Sequence, residues 1–180
     1  MRRHLVALLL ALVVVGAGAG MAVAHDPPRL SAHGPTDVSG TEATAVFRIG
    51  DRTIRQVRYD DRGTLTYRFV LRNDGSLPVR VDGVEGPARQ PRLFRYLGLT
   101  GGRFTLKPGA SRQVGVRLRM VGCETLSARA GSFASSVALR VTRARVLHDV
   151  VRVRFPEQVH TGSPREAFCP RATATSRPPG

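Results

Sequence analysis

The feature that most constrains the fold of this 180-residue chain is a two-residue alternation of apolar and polar side chains. It is clearest at residues 64–72 (TLTYRFVLR), where Leu65, Tyr67, Phe69 and Leu71 share one face. The pattern recurs at 53–59, 79–84, 113–120, 137–141 and 150–155. Turn residues separate these segments, and none shows the spacing of an amphipathic helix. The alternation therefore predicts an all-β, antiparallel two-sheet sandwich of seven to nine strands.

The N-terminal segment has the pattern of an export signal. Arg2 and Arg3 precede an apolar run at 5–15, and Ala22 and Ala24 provide small residues at the positions that a signal peptidase reads. Residues 5–24 carry no charge, and this uncharged segment is also long enough for a membrane-spanning helix. We therefore expect residues 1–24 to form a hydrophobic helix that is either a cleaved signal peptide or a retained anchor. Both alternatives place the rest of the chain outside the cytoplasm, secreted or held at the outer face of the membrane.

The remaining sequence divides by composition. Residues 25–44 are rich in proline and glycine and poor in apolar side chains, which predicts a flexible linker. Residues 45–169 contain the alternating segments and predict the sandwich domain, in which the apolar segment 93–99 is expected to be a buried central strand. Residues 170–180 (PRATATSRPPG) predict a disordered tail.

Charge indicates the kind of partner. The formal net charge is +15, and all but Lys107 of the 28 basic residues are arginine. A chain of this charge is attracted to anionic surfaces, and export argues against nucleic acid as that partner. Arg117 and Arg119 share one strand face, as do Arg152 and Arg154, so the four would form one basic patch if their strands were neighbours. The predicted partner is an anionic envelope surface or another envelope protein, with the membrane itself contacted through residues 1–24 if they are retained.

The two cysteines, Cys123 and Cys169, both follow the export signal. In an oxidising compartment a single pair of this kind is expected to form a disulfide. No third cysteine or histidine cluster completes a zinc ligand set.

The sequence argues against an enzyme. No serine lies in a GxSxG motif, and His148 and Asp149 are neighbours on a strand, so their side chains point to opposite faces. We predict no catalytic residue and no cofactor.

A copper site is the alternative function. Cleavage after Ala24 would leave His25 at the N-terminus, where its amine and imidazole nitrogens suit Cu(II). A second histidine would come from His33, His148 or His160, which no predicted element places beside His25.

Residues 64–155 contain three sequence motifs in a fixed order. The first is the turn sequence LRNDGSLPVRV, which ends the aromatic strand. The second is F-x-L-x-PG, formed by Phe104, Leu106, Pro108 and Gly109, and the third is the strand sequence V-x-V-x-L. This half of the chain resembles bacterial immunoglobulin-like sandwiches of the abnormal-spindle and chaperone-like type. The resemblance implies an immunoglobulin-like architecture and an adhesive, scaffolding or accessory role, because these motifs mark turns and core positions. Together with the export signal, it leads us to expect a non-enzymatic binding or accessory protein of the cell envelope or extracellular space.

Overall fold

The computed structural model describes residues 26–85, 93–121 and 133–161, and these form ten strands without a helix. The strands are β1 (Leu30–Ser39), β2 (Ala43–Ile49), β3 (Arg52–Val57), β4 (Thr64–Asn73), β5 (Val79–Val84), β6 (Phe94–Leu99), β7 (Phe104–Leu106), β8 (Ser111–Met120), β9 (Phe133–Arg143) and β10 (Leu147–His160). The prediction of an all-β chain is thus confirmed for the described residues, whereas the predicted number of seven to nine strands is too low.

The strands form two sheets, as predicted. Sheet A has four strands in the order β1-β4-β8-β6, and sheet B has six in the order β2-β3-β10-β9-β5-β7. Every neighbouring pair is antiparallel except β3 and β10, which run parallel through residues 158–160. The prediction of a purely antiparallel arrangement is therefore wrong. Its error comes from β10, which continues past a register shift between Arg154 and Val159 and only then meets β3.

The fold also differs from the predicted linker at 25–44, because this range contains β1 and the start of β2. Strand β1 lies at the edge of sheet A and pairs only with β4 among the described strands. An edge strand tolerates Gly34 and Pro35, and the register of the pair shifts there, between His33 and Asp37. Strand β2 is exposed at all seven residues, so it has no alternation to detect.

The core forms where the alternating faces of the two sheets meet. Leu65, Tyr67, Phe69 and Leu71 of β4 are fully buried, as predicted. The ring of Phe155 from β10 packs between them, with its centroid 4.9 Å from that of Tyr67 and 5.5 Å from that of Phe69. Each such side chain contributes about 2 kcal/mol by leaving water, which is what holds the sheets together.

The two motif turns are tied together by one buried side chain, that of Asn73. Its Nδ2 donates to the carbonyl oxygens of Leu77 (2.8 Å) and Leu106 (3.2 Å), and its Oδ1 accepts from the N–H of Gly75 (3.0 Å). The backbone N–H of Gly109 donates to the backbone carbonyl oxygen of Asn73. The N-x-G turn therefore packs on the F-x-L-x-PG turn, which makes the fold compatible with an immunoglobulin-like sandwich.

Several predictions concern residues outside the described ranges: the segment 1–24, His25, the Cys123–Cys169 disulfide and the tail 170–180. These stay predictions. In the part of the chain that the structure describes, no helix is long and apolar enough to cross a membrane.

Candidate functional site

The predicted four-arginine patch is divided between the two sheets. Arg117 and Arg119 lie on β8 in sheet A, whereas Arg152 and Arg154 lie on β10 in sheet B. All four side chains are exposed and point away from the core, so the two pairs are on opposite faces of the sandwich. Whether the two arginine pairs share a surface depends on which strands are neighbours in a sheet. The alternation within a single strand contains no information about its neighbours.

A third arginine joins the pair on sheet A. Arg95 of β6 is exposed and stands directly opposite Arg119 in the antiparallel pairing of β6 with β8, while Arg117 stands opposite Gly98. On the other side of β8, Thr64 faces Arg119 and Thr66 faces Arg117. We call Arg95, Arg117 and Arg119 the arginine face.

Arg95 was not among the predicted site residues, because the segment 93–99 was expected to be a buried central strand. Strand β6 is instead the edge strand of sheet A, with only one strand neighbour among the described residues. The alternation did contain the signal, since Arg95 lies between the inward-facing Phe94 and Tyr96. Phe94 is fully buried, and the Tyr96 hydroxyl donates to the carbonyl oxygen of Ser136 in sheet B (2.7 Å).

The arginine face differs from the rest of the same sheet surface in its charge balance. Arg68 on β4 forms an ion pair with Asp37 of β1 (2.8 Å), and Arg72 forms one with Asp74 (3.1 Å). Among the described residues, no carboxylate forms an ion pair with any of the three members of the arginine face. The outer surface of sheet A is therefore neutralised on its β1 side and cationic on its β6 side.

This arrangement costs folding free energy. Like charges directly opposite on neighbouring strands are destabilising. Arg95 and Arg119 form such a pair, and Arg117 adds a third charge two residues along β8. A negatively charged partner would remove the repulsion, so the arrangement can bind anions across an exposed sheet surface.

The outer surface of sheet B carries a different cluster, in which every side chain has a partner. The Thr142 hydroxyl donates to Asp82 Oδ2 (2.5 Å) and lies 3.0 Å from Nδ1 of His148. Arg80 Nε donates to Asp82 Oδ1 (2.8 Å). Asp149 turns away from His148 and accepts two hydrogen bonds from Arg143, which agrees with the expectation that neighbouring strand residues point to opposite faces.

The predicted copper ligand His25 lies outside the described residues. Within the described ranges, no group of three or more histidine, cysteine, aspartate or glutamate side chains is arranged to hold a metal ion.

No protein-family model matches this chain, and no curated protein is significantly similar to it. The fold and the site together define a two-sheet β-sandwich whose sheet A surface is cationic on its β6 side.

Proposed function

We propose that this protein is an exported, non-enzymatic binding protein of the cell envelope that docks on anionic phospholipid headgroups through the arginine face. The observation that carries the proposal is the direct opposition of Arg95 and Arg119 without a carboxylate partner among the described residues. Such repulsion is retained at a cost in stability, and an anionic ligand removes that cost.

The shape and charge of this surface support a membrane rather than a small ligand. The three guanidinium groups project from one face of a sheet, and a broad surface of this kind suits a planar array of headgroups. The net charge of +15 adds a long-range attraction to the same partner. Each arginine close to an anionic membrane contributes about 1 kcal/mol, so three contribute about 3 kcal/mol.

The predicted export signal supports the location of this contact. Residues 1–24 would direct the chain across the membrane, after which the sandwich folds beside the outer leaflet. A cleaved chain would then return to the membrane through the arginine face alone, and a retained anchor would hold that face close to it.

The test compares two double variants of the chain 25–180 that change net charge equally. Arg117→Gln/Arg119→Gln removes two members of the arginine face, and Arg152→Gln/Arg154→Gln removes the same R-x-R pattern from sheet B. Binding is measured by co-sedimentation with vesicles of phosphatidylglycerol and phosphatidylcholine. We expect the first variant to bind about 30-fold more weakly and the second to bind nearly as the parent does.

Equal losses in the two variants would show that net charge alone drives binding and would overturn the proposal. Affinity that does not weaken between low and moderate salt would also overturn it, because exposed charges are screened. Binding to an acidic wall polymer with none to the vesicles would overturn the assignment to lipid.

A further inference from the structure

We propose that a cleft on the outer surface of sheet B is a binding site for a small oxyanion, a carboxylate or a phosphate monoester, held between Arg103 and the Nε2 atom of His148. The cleft has a volume of about 430 Å³, within the range of small-molecule sites. It lies opposite the arginine face, and it is independent of membrane docking.

The cleft is built around a distortion of β5. The register of β5 against β9 shifts between Val81 and Gly83, and Gly83 has a φ of +157°. A Cβ at this position would stand 3.3 Å from Nη2 of Arg140, so the guanidinium group packs over glycine backbone. Bulges of this kind often re-aim side chains at binding sites.

The hydrogen bonds determine how His148 presents its ring. Thr142 is buried, and its single hydroxyl proton goes to Asp82. The hydrogen bond from Thr142 and the neighbouring Arg80 hold the pKa of Asp82 below its usual range, so Asp82 is a carboxylate that only accepts. Thr142 Oγ1 accepts from Nη2 of Arg80 (3.4 Å), and because its own proton is used it also accepts from Nδ1–H of His148, 3.0 Å away. A neutral His148 then has its proton on Nδ1 and a free lone pair on Nε2.

Three arginines and three carboxylates line the cleft, and one arginine is left without a carboxylate because Asp149 pairs with Arg143, which lies outside the lining. Arg80 is paired with Asp82 (2.8 Å), Arg140 with Glu85 (3.7 Å), and Asp149 with Arg143 (3.0 Å). Arg103, which follows the turn before β7, forms no ion pair with a carboxylate in the described ranges, although its charge acts on Asp82. Nε2 of His148 likewise has no hydrogen-bond partner there. A guanidinium group and an imidazole nitrogen that are both without a partner suit an oxyanion.

The tautomer makes binding depend on a proton. A carboxylate or a phosphate dianion offers only lone pairs, so Nε2 of His148 must gain a proton before it can donate to the ligand. The ring then donates from both nitrogens, to Thr142 and to the oxyanion, and one proton is taken up for each ligand bound. The charged groups that line the cleft together with the ring are Arg80, Asp82, Glu85, Arg103, Arg140 and Asp149.

The test uses the full chain with ¹⁵N-labelled histidine in a non-ionic detergent, with acetate and methyl phosphate as probes. We expect the ring of His148 to show the Nδ1–H tautomer without a probe at about pH 7.5, and the doubly protonated ring when a probe binds. Arg103→Gln should weaken binding about tenfold or more, because a charge-assisted hydrogen bond is lost. The control Arg152→Gln removes an exposed arginine from the same sheet surface outside the cleft and should leave the affinity unchanged.

Binding of either probe with these changes supports the proposal, and the tighter probe identifies carboxylate or phosphate as the ligand chemistry. A His148 spectrum that neither probe alters would overturn it, and a ring already protonated on Nε2 in the free protein would contradict the uptake of a proton with the ligand. Equal weakening in Arg103→Gln and Arg152→Gln would also overturn it, because the anion would then be attracted by net charge alone.

Discussion

Replacement of Asn73 by alanine tests whether one buried amide holds the two motif turns together. Asn73 is fully buried at the end of β4. Its side chain makes three hydrogen bonds, to backbone groups of Leu77, Leu106 and Gly75, at distances of 2.8 to 3.2 Å. Alanine removes all three and leaves these backbone groups to find other partners.

The expected loss follows from these contacts. Each hydrogen bond contributes about 1 kcal/mol net, and a backbone group left buried without a partner costs at least as much. The sum is about 3 to 4 kcal/mol in the free energy of unfolding. This is a large share of the roughly 5 to 15 kcal/mol that stabilises a typical domain.

Urea unfolding followed by far-ultraviolet circular dichroism measures this loss, because the chain has no tryptophan to report by fluorescence. The matched control is Arg72→Ala, which removes an exposed neighbour that forms an ion pair with Asp74 and should cost less than about 1 kcal/mol. A loss of under about 1 kcal/mol for Asn73→Ala, or one equal to that of the control, would refute the reasoning.

Two tyrosines give further predictions. Tyr67 is fully buried, and its hydroxyl lies near Glu157 without a hydrogen bond of good geometry among the described residues, so Tyr67→Phe should raise the free energy of unfolding by about 1 kcal/mol; a loss in urea unfolding would contradict this. Burial raises the pKa of Tyr96 to about 12, against about 10 in an unfolded chain. Its neutral form therefore contributes stability that is complete below about pH 10 and is lost as pH rises toward 12. The free energy of unfolding of the parent, relative to Tyr96→Phe, should fall by about 2 kcal/mol across that window, and a constant difference would contradict the burial argument.

The alternating segments were predictable because the order of apolar and polar residues in each one shows which side chains are buried on folding. The inward faces of β4 and β8 follow from Leu65, Phe69, Val116 and Leu118, all buried as expected. Strand β1 was not predictable, since an edge strand that buries little apolar surface carries no alternation. Arg95 was overlooked for a different reason: the segment 93–99 is apolar enough to be taken for a central strand, although Arg95 alternates with the inward-facing Phe94 and Tyr96.

The candidate sites depend on contacts between distant parts of the chain. Local alternation places Arg117 and Arg119 on one face of β8, yet only the pairing of β6 with β8 brings Arg95 beside them. The cleft likewise needs β5, β9 and β10 to place Asp82, Thr142 and His148 together.

By itself, the sequence determined the all-β class, the alternating strands and the direction in which most of their side chains point, because these follow from solvent exposure and backbone geometry over a few residues. The tertiary structure alone decided which strands are neighbours, that β10 runs parallel to β3, and that the predicted arginine pairs face opposite ways. Strand order is set by packing between residues far apart in the chain, and a two-residue period contains no information about that partnership.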